Sequence, residues 1–170
     1  MPDRVKESIF NILGSYYDCP GLLPPLHVAD VFAGSGAMGL EALSRGAATC
    51  TFFEQNSDAI RALQRNIESI GVGPSAVIIR GDAWSRAVTR PERGGFDLIF
   101  LDPPFRASRD TAKGGPVRRY LAKLSGFTAS KGVVVWHHEG GAALGAEPPE
   151  PWQVLDERSF GSQVITFLGK

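Results

Sequence analysis

Apolar runs of strand length, separated by amphipathic helical stretches, constrain this chain more than any other feature. His27–Phe32, Thr49–Phe53, Ala76–Ile79, Phe96–Leu101 and Gly132–His137 are short, rich in Val, Ile and Phe, and bounded by turn residues, as strands buried on both faces are. Asp58–Ile70 puts Ile60, Leu63, Ile67 and Ile70 on one helical face, and Gly71 and Gly73 stop it. Asp3–Leu13 carries Val5, Ile9, Ile12 and Leu13 on one stripe, with Asp3 as its expected N-cap. A loop holding Pro20, Gly21, Pro24 and Pro25 ends that helix. A further helix follows the turn at Ala33–Gly36 and runs to Arg45, and another spans Val117–Leu124. This alternation predicts an α/β fold, a mostly parallel, doubly wound sheet covered on both faces. Trp152–Arg158 and Gln163–Leu168, joined by the short link Ser159–Ser162, predict a closing antiparallel pair. No repeat, low-complexity tract or linker divides the chain, so residues 1–170 are expected to form a single domain.

A chain of 170 residues, 43% hydrophobic and 21% charged, can bury a core without covalent staples. Cys19 and Cys50 lie far apart without metal-ligand spacing and read as free thiols. No apolar run approaches the roughly 18 residues that cross a bilayer. The start, MPDRVKE, is charged and has no signal-peptide core. A cytoplasmic protein with no membrane contact is therefore expected. The formal net charge is zero, so no global field draws the chain to a polyanion. Locally, Arg106, Arg109, Lys113, Arg118, Arg119 and Lys123 face the single acid Asp110. Such a run is either a solvated face or a phosphate contact.

DVFAGSGAMG (Asp30–Gly39) follows a strand and opens a helix. Gly34 and Gly36 let the backbone turn tightly against a ligand, and Gly39 permits close helix–strand packing. Amide groups at the helix start favour an anionic group. Glu54, at the end of the second strand, can accept from ribose hydroxyls. Loop and acid together indicate an adenosine-containing cofactor without saying which. Asp30 shifts the balance, because a carboxylate there repels a pyrophosphate but suits the ammonium of a methionine moiety. Its alternative is a bond to the loop backbone. Asp82, in GDAW past the third strand, can take an adenine amino group or cap a helix.

FDLIFLDPPF (Phe96–Phe105) sets an acid at the mouth of the fourth strand, then two prolines and an aromatic. The prolines fix a rigid extended loop. An exocyclic base amine is a weak nucleophile, since its lone pair is delocalised into the ring. Acceptors on its N–H groups, the Asp102 carboxylate and the Pro103 carbonyl, pull the nitrogen toward tetrahedral geometry. They also stabilise the charge that develops as it attacks a sulfonium methyl. Pro104 stiffens the loop, and Phe105 offers a stacking face for an extruded base.

DRVKESIFNIL (Asp3–Leu13), VADVFAGSGAMGLEALSRGA (Val28–Ala47), FFEQN (Phe52–Asn56) and LIFLDPPF (Leu98–Phe105) together resemble the RsmD family. These are bacterial methyltransferases acting on guanine N2 of small-subunit ribosomal RNA. The resemblance implies a Rossmann-like class I methyltransferase fold using S-adenosyl-L-methionine. It implies cofactor contacts from Asp30, Phe32, Gly34, Gly36, Glu54, Asp82 and Ala83, and a catalytic loop of Asp102, Pro103, Pro104 and Phe105. Ribosomal RNA or an assembling small subunit would be the partner, and a monomer is expected. Such proteins usually carry a basic N-terminal hairpin before the first helix, whereas here Met1-Pro2 stands directly before Asp3. The Arg106–Lys123 run is therefore expected to carry a larger share of the attraction to RNA. The tetrad also serves DNA adenine N6 and protein glutamine amides, which leaves those as alternatives within transferases. An NAD-dependent oxidoreductase or a non-catalytic cofactor-binding module is the alternative of another class, and no hydride-transfer acid–base pair supports the former.

His137 and His138 are adjacent on a strand and point to opposite faces, which argues against a shared metal. No metal site is expected. Trp84, Trp136 and Trp152 read as packing residues.

Overall fold

The computed structural model describes residues 2–85, 94–104, 115–140 and 148–170. These fall into two compact units, Met1–Ala83 and Trp84–Lys170.

The first unit runs α1 (Asp3–Tyr16), β1 (His27–Val31), α2 (Ala37–Ser44), β2 (Thr49–Glu54), α3 (Ser57–Ile70) and β3 (Ala76–Arg80). β2 lies between β1 and β3, all parallel, with Ala29 opposite Thr51 and Thr51 opposite Val77. Parallel neighbours need a crossover, and α2 and α3 supply the two. α3 buries Ile60, Leu63 and Ile67, while Ile70, expected on the same face, is exposed where the helix ends. Asn56 caps α3 by accepting from the N–H groups of Asp58 and Ala59, and Gly71 ends it in the left-handed conformation. α1 buries Val5, Ile9, Phe10 and Leu13 as its stripe requires. Its N-cap is Pro2, not Asp3. Asp3 already lies in the first turn, where its carboxylate suits the helix dipole and pairs with Lys6 at 3.6 Å.

The second unit holds β4 (Phe96–Leu101), α4 (Pro116–Ser125), β5 (Thr128–Glu139), β6 (Gln153–Phe160) and β7 (Gln163–Gly169). β4 and β5 are parallel, with Leu101 opposite Trp136. β7 is antiparallel to both β5 and β6 and lies between them, although it follows β6 in the chain. The expected antiparallel closing pair is therefore present, with its second strand inserted. β5 begins four residues before the expected Gly132, because its opening Thr128–Lys131, with Ser130 and Lys131 exposed, is already strand. The register shifts there, between Phe96 and Leu98. β7 is buried from Val164 to Leu168 and apolar there except for Thr166, and β6 is mostly exposed. Among the described residues no helix is long and apolar enough to cross a membrane.

Candidate active site

In the first unit the chain leaves β1 through Phe32, whose φ of +63° is unusual for a bulky side chain, and turns at Gly34. Gly36, at φ +86°, is the N-cap of α2. A side chain there would be strained and would strike Leu63 Cδ1, 2.4 Å from an ideal Cβ. At Gly34 the opposite holds. A Cβ there would meet nothing within 4 Å, so the turn borders open space. Gly39 explains the close seating of α2: an ideal Cβ would lie 2.4 Å from Phe52 Cε1 and 2.5 Å from Cys50 Sγ on β2.

Asp30 is only 2% exposed, and its Oδ2 accepts from Gly39 N–H at 2.8 Å. The carboxylate thus takes the backbone role, tying β1 to the first turn of α2 and satisfying an amide that the helix leaves orphaned. Burial and the Asp30 charge both push the Cys50 thiol well above its ordinary range.

Glu54 is held harder than the sequence suggests. Its Oε2 accepts from Gly34 N–H at 2.7 Å, and its Oε1 from Gln55 and Asn56 N–H, each at 2.8 Å. A carboxylate offers about four lone-pair positions, so three anchors leave room for one more donor, on Oε2. Gly81 N–H also reaches the Glu54 carbonyl at 3.0 Å, joining the end of β3 to that of β2. Half-buried Asp82 and buried Ala83 follow directly. Asp82 precedes a turn over residues 83–85, and residues 86–93 lie outside the described structure.

This set fits S-adenosylmethionine. Glu54 would offer a fixed acceptor to a ribose hydroxyl, the helix N-terminus of α2 would suit a carboxylate, and open space borders Gly34.

In the second unit β4 delivers Asp102, whose side chain is 35% exposed, followed by buried Pro103 and exposed Pro104. Phe105 lies outside the described residues, as do Arg106, Arg109, Asp110 and Lys113. The Leu101–Trp136 register brings the next pair, Asp102 and His137, to one side of the strands. His137 Nδ1 is 2.8 Å from Asp102 Oδ1. An ionised carboxylate has no hydrogen to give, so the ring N–H donates. Sequence reasoning missed this contact. The usable signal was that two strands ending in an acid and a histidine could be neighbours.

His138 faces away, as strand alternation requires. Its ring stacks on Trp136, Nδ1–H donates to the Glu139 carbonyl at 2.9 Å, and Nε2 meets the Thr166 hydroxyl at 2.8 Å. Burial lowers its pKa, with a smaller push from His137, against opposing pulls from the Glu139 carbonyl and Glu157. Trp136 and Trp152 are core residues, and Trp152 Nε1–H donates to the Leu121 carbonyl at 2.8 Å. Trp84 is different. It is half-buried and lines a cavity of about 300 Å³ with Pro116, Arg119, Tyr120 and Lys123. On α4, Arg119 is exposed, Arg118 is half-buried, and Lys123 Nζ lies 5.8 Å from the Tyr120 ring centroid.

A family model described as conserved hypothetical protein 95 matches residues 1–169. The chain belongs to that family. The chain is similar to the ribosomal RNA small subunit methyltransferase D of Escherichia coli K12, 36% identical over 104 residues. The match covers 61% of this chain and 48% of that protein. The protein of the same name from Haemophilus influenzae is 35% identical over 107 residues, covering 61% and 51%. These names agree with the RsmD resemblance. The chain spans about half the length of the curated relatives it matches. A solved conserved hypothetical protein from Streptococcus pyogenes shares the fold, with a TM-score of 0.81 and 24% identity over 97% of this chain and 94% of its own. The fold is Rossmann-like, of the class I methyltransferase type.

Proposed function

We propose that this chain transfers the methyl group of S-adenosylmethionine to N2 of a guanine in small-subunit ribosomal RNA, acting in the cytoplasm as one functional domain. The observation that carries the reading is the Asp102 carboxylate, set at the end of β4 ahead of two prolines, partly exposed and held through Oδ1. With Oδ1 taken by His137, we assign the amine to Oδ2 and to the Pro103 carbonyl. Those two acceptors draw on its N–H groups, sharpen the nitrogen lone pair and stabilise the positive charge that grows on it. When bound, the cofactor supplies an electrophilic methyl on a sulfonium. On the first unit, Glu54 would hold the ribose, the amides opening α2 would meet the carboxylate, and Asp82 with Ala83 would take the adenine. Asp30 keeps the turn in shape for that cradle. Its buried charge also disfavours a pyrophosphate there, which speaks against a nicotinamide dinucleotide. The RNA contact is assigned to α4, where exposed Arg119 and the cavity with Trp84, Tyr120 and Lys123 combine cations with aromatic faces.

The test is transfer of tritiated methyl to total RNA, DNA and ribosomal subunits from a strain lacking this gene. Label is expected in small-subunit RNA with the wild-type chain, and none above background with Asp102→Ala. Label in DNA or protein instead would reassign the substrate, and near-normal transfer by Asp102→Ala would overturn the catalytic assignment.

A further inference from the structure

His137 is the one group that grips the proposed catalytic carboxylate, among the described residues, and nothing in the reading above requires it to be histidine. It sits at the far end of β5, 4% exposed, with its Nδ1 2.8 Å from Asp102 Oδ1. Buried imidazole is an expensive way to fill space, because its polar atoms must be satisfied. A leucine of similar bulk would pack there without that cost. Asp102 follows the last residue of β4 and has no ladder of its own to fix it. Its side chain could otherwise turn about its own bonds, and an N–H from a buried ring on a central strand removes that freedom.

We infer that His137 is a positioning residue for the transfer. Its Nδ1–H holds Oδ1, so that Oδ2 is presented to the incoming amine. This rests on the reading of Asp102 as the group that faces the amine. A positioning role for His137 dictates which replacement survives. Asparagine carries an N–H donor at the same place along its side chain as imidazole Nδ1, and a carboxylate partner selects the amide rotamer that donates. Leucine conserves bulk and donates nothing. A packing role favours leucine over asparagine, and a positioning role favours asparagine over leucine.

The experiment measures kcat and KM for RNA, and S-adenosylhomocysteine affinity, for wild type, His137→Leu, His137→Asn and Asp102→Asn, with a melting curve for each. His137→Leu is expected to lose about 10- to 100-fold in kcat, the scale of a misplaced reacting group. Its KM for RNA and cofactor affinity should stay within about 3-fold. His137→Asn should recover most of that kcat even if it melts lower than His137→Leu. Wild-type kcat in His137→Leu, or a lower kcat in His137→Asn than in His137→Leu, overturns the inference while leaving Asp102 in its role. Activity in Asp102→Asn overturns the underlying reading, and the inference with it.

Discussion

Gly39→Ala tests how closely α2 sits on β2. The added methyl would lie 2.4 Å from Phe52 Cε1 and 2.5 Å from Cys50 Sγ, against the roughly 3.5–4.0 Å of an ordinary carbon contact. Phe52 and Cys50 are both fully buried and cannot swing into solvent. The helix must therefore back away by about 1 Å, and overpacking of this kind costs about 1–3 kcal/mol. The same movement lengthens the 2.8 Å bond from Gly39 N–H to Asp30, a charge-assisted bond worth about 1.5–3 kcal/mol. Alanine recovers about 1 kcal/mol as a better helix former. With part of the Asp30 bond retained, the net is about 2–3 kcal/mol. In a chain of this size each kcal/mol moves the melting temperature by about 2–4 °C, so a fall of about 5–10 °C is expected in thermal unfolding followed by circular dichroism. Adding Cys50→Ala to Gly39→Ala removes one of the two obstructing groups. Its cost should be smaller there than in the wild-type background, a coupling read directly from the double-mutant cycle. A Gly39→Ala protein that melts within about 1 °C of wild type, with no such coupling, would refute the argument.

Glu54→Ala removes the acceptor for three backbone amides, so it should weaken S-adenosylhomocysteine binding by at least about 10-fold and lower the melting temperature, seen by calorimetry. Unchanged affinity would remove Glu54 from the cofactor site. The lowered pKa of His138 makes the folded state bind fewer protons than the unfolded chain below the ordinary imidazole value of about 6.5. Stability should therefore be complete above that pH and decline as pH falls below it, and the decline should be shallower in His138→Gln; equal slopes would assign it to other groups. Arg119→Ala should flatten the log–log salt dependence of RNA affinity by roughly 0.7–0.9, one phosphate's worth, with cofactor binding unchanged. Superimposable salt series would make α4 a solvated face.

The features most legible in the sequence are those that a local backbone or periodic pattern dictates. Gly36 must be glycine where φ is positive, Gly39 where a helix touches a strand, and the stripe of α1 follows from side-chain spacing alone. Features that depend on which strands become neighbours were less so. Nothing local to Trp-His-His or Asp-Pro-Pro says that His137 and Asp102 meet, because that contact needs the β4–β5 register. Asp30 shows a third case. Its carboxylate was visible as unusual for a phosphate site, yet its choice between a ligand's ammonium and the Gly39 amide depended on a distance. Asp3 was misplaced by one position, since proline's fixed φ lets Pro2 stand as the extended residue that starts α1.

The insertion of β7 between β5 and β6 has a consequence for synthesis. On the ribosome β6 emerges before β7, but it has no strand to join until β7 arrives. Through that interval the apolar edge of β5 stands bare, the kind of edge that recruits other chains. Both pairings of the second unit's outer half then form at once, as β7 slots between two waiting partners. Truncation of the chain after Phe160 should accordingly cost more than a frayed margin. It would leave β6 unattached and β5 open, and nascent chains stalled there should be the aggregation-prone species in the cell.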